Sequence, residues 1–280
     1  MKMIPETALI AVCSQVNGEY GLYVSVPESN ERLVLNGGKK FNSASTIKIP
    51  LLALLLKDFE DERLNADQPI FLHEENRVGG SGILKSMSPA LSMSLYDFAV
   101  LMTIISDNSA TNQIIDAVGL ERANAFFAEN GWKNTHLAGK LFLPKPILPD
   151  GTEDFNSTSA EDLGDMMERV LRGTLVSENV SRQMMQIMAA QQLGRFNLSL
   201  PVIRFPNTRK PLPEVPEGRV IMANKGGTLT GKVLHDAAAM LLPNGKKAVL
   251  TMMTASPDKE ATTEILKEVS RTLYDHLMKA

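Results

Sequence analysis

Short segments at the two ends of the chain alternate between apolar and polar residues, which is the pattern of half-buried β-strands. The pattern predicts a helix and a two-stranded hairpin at the N-terminal end, and three strands and a helix at the C-terminal end. Asn244 and Gly245 give a strong hairpin-turn signal between the last two strands. Both ends therefore predict strands of one antiparallel sheet. The predicted elements are helix 6–16, strands 20–26, 31–35, 219–224, 233–242 and 248–255, and helix 259–278.

The middle of the chain has helical periodicity, interrupted by three irregular stretches. Its first helix carries the uninterrupted apolar run 49–56, which predicts a central and dry helix. The irregular stretch 135–157 contains three prolines, which exclude regular helix and central strand, and its apolar content predicts an ordered loop. The predicted helices are 45–61, 95–105, 110–118, 120–130, 159–171 and 177–191, and the irregular stretches are 65–94, 135–157 and 197–218.

These patterns predict an α+β fold of the α/β-sandwich type, with a helical segment packed beside the sheet. Residues 1–45 and 197–280 are expected to build the antiparallel sheet and the terminal helices. Residues 46–196 are expected to form an all-helical subdomain. The two parts are expected to act as one integrated catalytic unit.

Charge and composition exclude several classes of partner. The formal net charge is −3, which gives no electrostatic basis for binding nucleic acid or an anionic membrane. The longest apolar run is far shorter than the ~20 residues of a membrane span, and a single cysteine, Cys13, excludes an internal disulfide. Without a leader pattern, the sequence as written predicts a cytoplasmic protein, or an exported one if Met1 replaces a removed leader. A monomer without a metal or other cofactor is expected.

The first candidate for chemistry is the pair Ser45 and Lys48, at the start of the apolar helix. Residues three apart share one helix face, so the lysine amine is expected beside the serine hydroxyl. A hydroxyl becomes a good nucleophile when a base takes its proton, and a lysine serves as that base when burial or a nearby cation lowers its pKa. The helix N-terminus suits an oxyanion. The alternative is an ordinary solvated helix surface.

The second candidate is Ser106-Asp107-Asn108, which interrupts two predicted helices. Ser106 could relay a proton to a leaving nitrogen, and Asn108 could hydrogen-bond both Lys48 and a substrate amide. The alternative is simple helix termination and N-capping.

The third candidate is Lys225-Gly226-Gly227-Thr228, predicted at the end of a strand. Glycines such as Gly227 let a ligand or another backbone approach closely. Lys225 offers a cation for a carboxylate, and the Thr228 N–H could complete an oxyanion hole with that of Ser45. The alternative is a β-bulge with an exposed lysine.

In this order, Ser-x-x-Lys, Ser-Asp-Asn and a Lys-x-Gly strand resemble the signature of class A β-lactamases and penicillin-binding proteins. The resemblance covers nearly the whole chain. It implies a serine hydrolase that forms an acyl-enzyme with a β-lactam, another small amide or a peptide amide. Ser45 resembles the nucleophile, Lys48 its base or proton shuttle, and Ser106 the proton donor. Substrate contacts are implied for Asn108, Lys225, Gly227 and Thr228, and an oxyanion hole for the backbones of Ser45 and Thr228.

Two departures from the family pattern qualify this interpretation. Gly226 stands where the family has a threonine or serine. The irregular loop also has no carboxylate near Phe142, where the family carries the glutamate that positions the deacylating water. Acylation without fast turnover is therefore expected, as in a penicillin-binding protein or DD-peptidase. Other amide or ester hydrolysis, a glutaminase-like amidase and a non-catalytic ligand-binding relative stay open. A Ser-His-Asp triad through His235 and Asp236 is disfavoured, and His235 is expected to pack or hydrogen-bond on its strand.

Overall fold

The computed structural model describes residues 2–279, which form eight helices and ten strands. Six of the strands make one sheet in the order β2-β1-β10-β9-β8-β7, antiparallel except for the β7–β8 pair. The strands are β1 Glu19–Val26, β2 Glu31–Leu35, β3 Phe41–Asn42, β4 Pro69–Phe71, β5 Ser92–Ser94, β6 Ser157–Thr158, β7 Val202–Ile203, β8 Val220–Leu229, β9 Val233–Leu241 and β10 Lys247–Ala255. The helices are α1 Glu6–Cys13, α2 Lys48–Glu60, α3 Leu95–Ile104, α4 Asn108–Val118, α5 Leu120–Glu129, α6 Ala160–Arg172, α7 Glu178–Met188 and α8 Lys259–Lys279.

The sheet confirms the predicted α+β sandwich built from both chain ends. Its first hairpin pairs Leu22 with Leu35, and the N-terminal strand β1 joins the C-terminal strand β10 through Tyr23 and Thr251. The short strand β7 adds an edge that the sequence interpretation left irregular. Because β7 spans only two residues, it pairs with β8 at Val220 and Ile221 alone.

Two hydrophobic cores lie on opposite faces of the sheet. The terminal helices α1 and α8 cover one face, where Leu9 and Cys13 pack with an apolar stripe of α8 that includes Leu266 and Leu273. The helices of the middle segment cover the other face. A short 3₁₀ turn, Ala44–Ile47, leads into α2 there. Helix α2 buries the whole run from Ile49 to Leu56, which confirms the predicted central helix.

Side-chain caps explain where several of these helices begin. The hydroxyls of Ser94 and Ser159 accept backbone N–H bonds from the first turns of α3 and α6. Asp107 caps α4 in the same way. Helix α4 therefore starts at Asn108, two residues before the predicted start at position 110.

The segment 46–196 is mostly helical, but the prediction of an all-helical subdomain is wrong in detail. Strands β4 and β5 pair within it, because the apolar stretch around Ile70 meets Met93 across a short ladder. Strand β6 also belongs to it and pairs with β3. The proposed boundaries of the two parts stay a prediction. Among residues 2–279, no helix is both long and apolar enough to cross a membrane.

Candidate active site

The three candidate segments meet at one buried polar centre. Lys48 Nζ donates to the backbone oxygen of Ser106 at 2.8 Å and to Asn108 Oδ1 at 2.8 Å, and it lies 2.9 Å from Ser106 Oγ. Lys225 Nζ, from β8, donates to Ser106 Oγ at 3.0 Å and to the backbone oxygen of Gly226 at 3.0 Å. The Ser106 hydroxyl therefore lies between two lysine nitrogens.

Both lysines are only 1% exposed, and this burial changes their charge. Burial lowers the pKa of Lys48 well below its ordinary value, the positive charge of Lys225 lowers it further, and Asp107 opposes the shift. Burial also lowers the pKa of Lys225, to about 7, against the opposing charge of Asp236. These shifts favour the neutral amine at Lys48, whereas Lys225 carries a positive charge below about pH 7 and loses it above.

A neutral Lys48 amine has two hydrogens and one lone pair. The backbone oxygen of Ser106 and the Asn108 side-chain oxygen can only accept, so they take the two hydrogens. The Asn108 amide is oriented for this role because its Nδ2 donates to Gly79 O at 3.0 Å. The lone pair of Lys48 is then left for the hydroxyl hydrogen of Ser106. With Lys225 protonated and Lys48 neutral, the arrangement joins an ammonium, a hydroxyl and an amine in one series of hydrogen bonds.

Ser45 stands on the 3₁₀ turn at the edge of this centre and lines the cleft. The turn is held by Ser43, whose N–H and hydroxyl both donate to the backbone oxygen of Asn156 at 2.8 and 2.9 Å. Ala44 adopts a left-handed conformation with φ of 44°, and its N–H donates to Asn42 Oδ1 at 2.9 Å. Within residues 2–279, the hydrogen bonds of the Lys48 amine all go to the second motif and none goes to Ser45.

Gly227 allows the strand to approach this turn. A Cβ at Gly227 would lie 2.9 Å from the backbone oxygen of Ser43, 3.1 Å from Thr46 Cγ2 and 3.2 Å from Ser45 N. A side chain would therefore push β8 away from Ser45. The nearby edge of β8, from Lys225 to Leu229, pairs with β9 on one side and has no strand partner on the other among the described residues. The backbone of Thr228 lies on this stretch, beside the cleft.

The location of the third motif corrects the sequence interpretation. Strand β8 does not end at Asn224 but continues to Leu229, and Lys225 pairs in register with Ala237. The ladder continues without a bulge to the pair Leu229 and Val233, so the alternative of a β-bulge with an exposed lysine is wrong. The two glycines stay in the ladder because the flanking strand β9 supplies its backbone partners.

His235 and Asp236 support the sheet and form no triad with Ser45. His235 Nδ1 accepts the N–H of Thr254 at 3.0 Å, so its Nε2 carries the proton and donates to Asn42 O at 2.8 Å. Burial lowers the pKa of His235 to about 4. Asp236 accepts backbone N–H bonds from positions 195 and 196 and the side-chain amide of Asn224. The expected packing and hydrogen-bonding role of His235 is confirmed.

The cleft in front of Ser45 has a volume of about 710 Å³, and the irregular loop forms its outer wall. Asn112, buried in α4, fixes the loop on one side: its Oδ1 accepts the N–H of Leu141 at 2.7 Å, and its Nδ2 donates to Leu141 O at 3.1 Å. Asn156 fixes the other end, because its side chain bonds the backbone of Ala138 and Gly139. The predicted ordered loop is therefore observed.

Asn112 and Asn156 are positioning residues to which the sequence interpretation assigned no role. Buried amides need hydrogen-bond partners, but the mostly polar sequence of α4 does not show that Asn112 is buried, so no local sequence signal points to it. The two loop carboxylates that line the cleft brace the loop itself. Glu153 accepts the N–H of Lys145 at 3.1 Å, and Asp154 lies 2.8 Å from His136 Nε2.

The loop presents apolar side chains to the cleft. Phe142 is 62% exposed and Phe155 is 40% exposed, and both line the cleft with Leu141. No carboxylate stands at positions 140–146, where the family resemblance places a glutamate. Within the described part of the chain, no group of three or more histidine, cysteine, aspartate or glutamate side chains is placed to hold a metal ion.

Comparison with known proteins agrees with this geometry. Residues 5–277 match the family model described as "Beta-lactamase enzyme family". An imipenem-hydrolyzing β-lactamase from Enterobacter cloacae is 23% identical over 265 residues, which cover 93% of this chain and 85% of that protein.

Two solved structures share the fold over nearly their whole length. A β-lactamase from Sphaerobacter thermophilus superimposes with a TM-score of 0.85 at 26% identity, covering 99% of both chains. The structure of PBP-A superimposes with a TM-score of 0.81 at 26% identity, covering 99% of this chain and 97% of that one. With its motifs, its fold and a family match across almost all of its length, this chain belongs to the β-lactamase enzyme family.

Proposed function

We propose that this protein is a serine hydrolase that opens β-lactam amides through an acyl-enzyme. Family membership supports the reaction class. One observation carries the proposed mechanism: Ser106 Oγ lies 2.9 Å from the neutral Lys48 amine and 3.0 Å from the Lys225 nitrogen. This series of hydrogen-bonded groups can move a proton from a nucleophile to a leaving nitrogen without exposing a charge to water.

In the proposed acylation, Ser45 Oγ attacks the carbonyl carbon of the substrate and its proton passes to Lys48 Nζ. The C–N bond then breaks, Ser106 gives its proton to the leaving nitrogen, and Lys48 returns a proton to Ser106. The proton of Ser45 thus ends on the leaving nitrogen, and Lys48 is neutral again. The product is an ester of Ser45, which water hydrolyses to free the acid. The Ser45 hydroxyl must approach Lys48 in the substrate complex, because such bonds often tighten only when substrate binds.

The remaining residues are proposed to bind and polarise the substrate. The N–H groups of Ser45 and Thr228 would stabilise the oxyanion, since Gly227 brings the strand and the turn together. The Lys225 ammonium would attract a substrate carboxylate, and the Asn108 amide would contact the substrate's own amide. Gly226 removes one hydroxyl from this set.

We further propose that deacylation is slow. The carboxylates nearest the cleft, Glu153 and Asp154, already bond loop groups, and positions 140–146 offer none. Loss of one positioned general base typically costs about 10²–10⁴-fold in rate. The similarity to PBP-A supports this reading, and a leucine-to-glutamate mutant of PBP-A is known as its acyl-enzyme complex with penicillin G. The protein would then act like a penicillin-binding protein or DD-peptidase, or on another amide or ester.

A non-catalytic ligand-binding role is less well supported. Burying two lysines is energetically expensive, and a chain that only binds a ligand gains nothing from keeping both. The buried centre also retains every hydrogen-bonding group that the proposed proton transfer uses. A glutaminase-like amidase lacks a specific observation in its favour. The monomeric state and the absence of nucleic-acid binding stay predictions.

The test combines a chromogenic assay with mass spectrometry. The full chain is mixed with nitrocefin or benzylpenicillin, product formation is followed by absorbance, and the intact protein mass is recorded over time. We expect a stoichiometric adduct, mapped to Ser45 by peptide digestion, that forms much faster than it disappears. Ser45→Ala should give neither adduct nor product. If neither β-lactams nor a fluorophosphonate label the wild-type protein, the proposed function is wrong.

A further inference from the structure

Phe142 and Gly80, which both line the cleft, lie against each other. Both residues have a positive φ, 57° for Phe142 and 78° for Gly80. For a bulky side chain this left-handed conformation costs about 1–2 kcal/mol, so the surroundings must hold Phe142 in place. The loop does so on both sides: Asn112 clamps the backbone of Leu141, and Lys145 Nζ donates to Leu143 O at 2.8 Å.

The ring of Phe142 lies beside the amide of Asn108. A Cβ built on Gly80 would lie 2.7 Å from Phe142 Cζ and 2.5 Å from Asn108 Nδ2. The ring and the amide are therefore neighbours on the same side of Gly80. A side chain at position 80 would occupy the place of the ring, so Gly80 is what lets Phe142 sit there.

Phe142 does not behave as a core residue in this position. The residue is 62% exposed, yet its ring lies against Gly80, another residue that lines the cleft. An exposed aromatic ring in a strained conformation points to a functional constraint, because burial does not repay the strain. The ring is held where it limits the space in front of Asn108.

We propose that Phe142 is a specificity-determining residue that restricts the acyl side group of the substrate. This inference rests on the proposed function, in which Asn108 contacts the substrate amide that carries this group. Any group attached to that amide must pass the position of the Phe142 ring. A small group fits beside the ring, whereas a bulky group must displace it and is acylated more slowly. The site therefore selects acyl donors with small side groups.

The experiment compares two penicillins that share the side-chain amide and differ in bulk, 6-acetamidopenicillanic acid and nafcillin. The second-order rate constant of acylation is measured for each by intact-protein mass spectrometry. The proteins are wild type, Phe142→Ala and Phe142→Gly. Glycine adopts the left-handed conformation without strain, so Phe142→Gly provides a folded variant without the ring even if Phe142→Ala is unstable. The control is Val176→Gly, because Val176 has a φ of 62° and is 37% exposed but does not line the cleft.

Removal of the ring should raise the nafcillin-to-acetamido ratio of these rate constants about tenfold or more, in the range that pocket shape supplies. The ratio should not change in Val176→Gly, and thermal unfolding should show every variant folded. An unchanged ratio in both Phe142 variants would overturn the inference while leaving the proposed function intact. A lower ratio would also overturn it, because the ring would then attract the bulky group. If no penicillin acylates the wild type, the proposed function fails, and this inference fails with it.

Discussion

The floor of the cleft consists of buried polar groups, whereas its outer wall exposes apolar side chains. On the floor, Lys48, Ser106, Asn108 and Lys225 are buried, and each of their side-chain nitrogen and oxygen atoms has a partner within 3.0 Å. The outer wall is the loop 139–156, which exposes apolar side chains and is tied to the body mainly near its ends. In the proposed function, the groups that make and break bonds thus lie in one region, and the groups proposed to select the substrate lie in another. The two regions meet at Asn156, whose backbone oxygen accepts the N–H and hydroxyl of Ser43, so we expect substitutions in the wall away from Asn156 to leave the floor folded.

The strongest test of this comparison is to remove the buried amine of Lys48, the proposed base. Lys48→Ala should lower the acylation rate by about 10²–10⁴-fold, because Ser45 loses its proton acceptor and Ser106 loses its proton donor. Stopped-flow or mass-spectrometric acylation by benzylpenicillin measures the loss.

The matched control for this prediction is Lys57→Ala, the same change further along α2, where Lys57 pairs with Asp61 at the surface. Near-ultraviolet circular dichroism checks that both variants fold. Equal acylation rates in Lys48→Ala and wild type would show that the buried amine is not the base.

The second prediction adds to the wall a carboxylate, which could serve as the base for deacylation that the floor lacks. Leu141→Glu places a carboxylate at the loop position whose backbone is clamped by Asn112, beside the cleft. We expect deacylation to accelerate about 10²-fold, because a positioned base can then activate water. The lifetime of the benzylpenicillin adduct measures this effect.

Leu148→Glu is the control, since Leu148 belongs to the same loop and does not line the cleft. An adduct lifetime that changes equally in both variants would mean that charge on the loop, and not its position, controls turnover. An unchanged lifetime in Leu141→Glu would place the missing base elsewhere in the cleft.

The third prediction isolates the effect of the Lys225 charge on acylation from any effect of the wall. The pKa of Lys225 is lowered to about 7, so its ammonium is present below this pH and is lost above it. Acylation by a penicillin, which carries a carboxylate, should fall by up to about tenfold per pH unit above pH 7. A neutral ester acyl donor should not show this fall, because it has no carboxylate to attract.

Parallel pH profiles from pH 6 to 9 for the two substrates test the assignment. Identical profiles would contradict a role of Lys225 in binding the carboxylate. A falling profile for the penicillin alone would sharpen the division between the charged floor and the apolar wall.

Local sequence spacing predicts the floor better than the wall. Ser45 and Lys48 share one turn, and Ser106 and Asn108 stand at a helix break, so short-range rules indicate both. The strand that carries Lys225 is longer than predicted, because its glycines resemble a strand end and only the pairing with β9 keeps them in the ladder.

The wall depends on contacts that no local pattern contains. Asn112 meets Leu141 across 29 residues of chain, and this clamp decides where the loop lies. The left-handed conformation of Phe142 follows from such tertiary constraints, since no propensity favours it for phenylalanine. The three prolines predict that the loop is irregular, but they do not predict its path.

Gly227 also has a consequence for the tendency of the protein to aggregate. An unpaired strand edge is a template on which a second chain can add a strand and begin aggregation. Between Lys225 and Leu229, β8 offers such an edge, and the turn carrying Ser45 docks against it because Gly227 has no side chain. Because this turn, which carries the proposed nucleophile, covers part of the edge, we expect it also to hinder strand addition by other copies. A larger residue at position 227 would compromise colloidal stability together with activity.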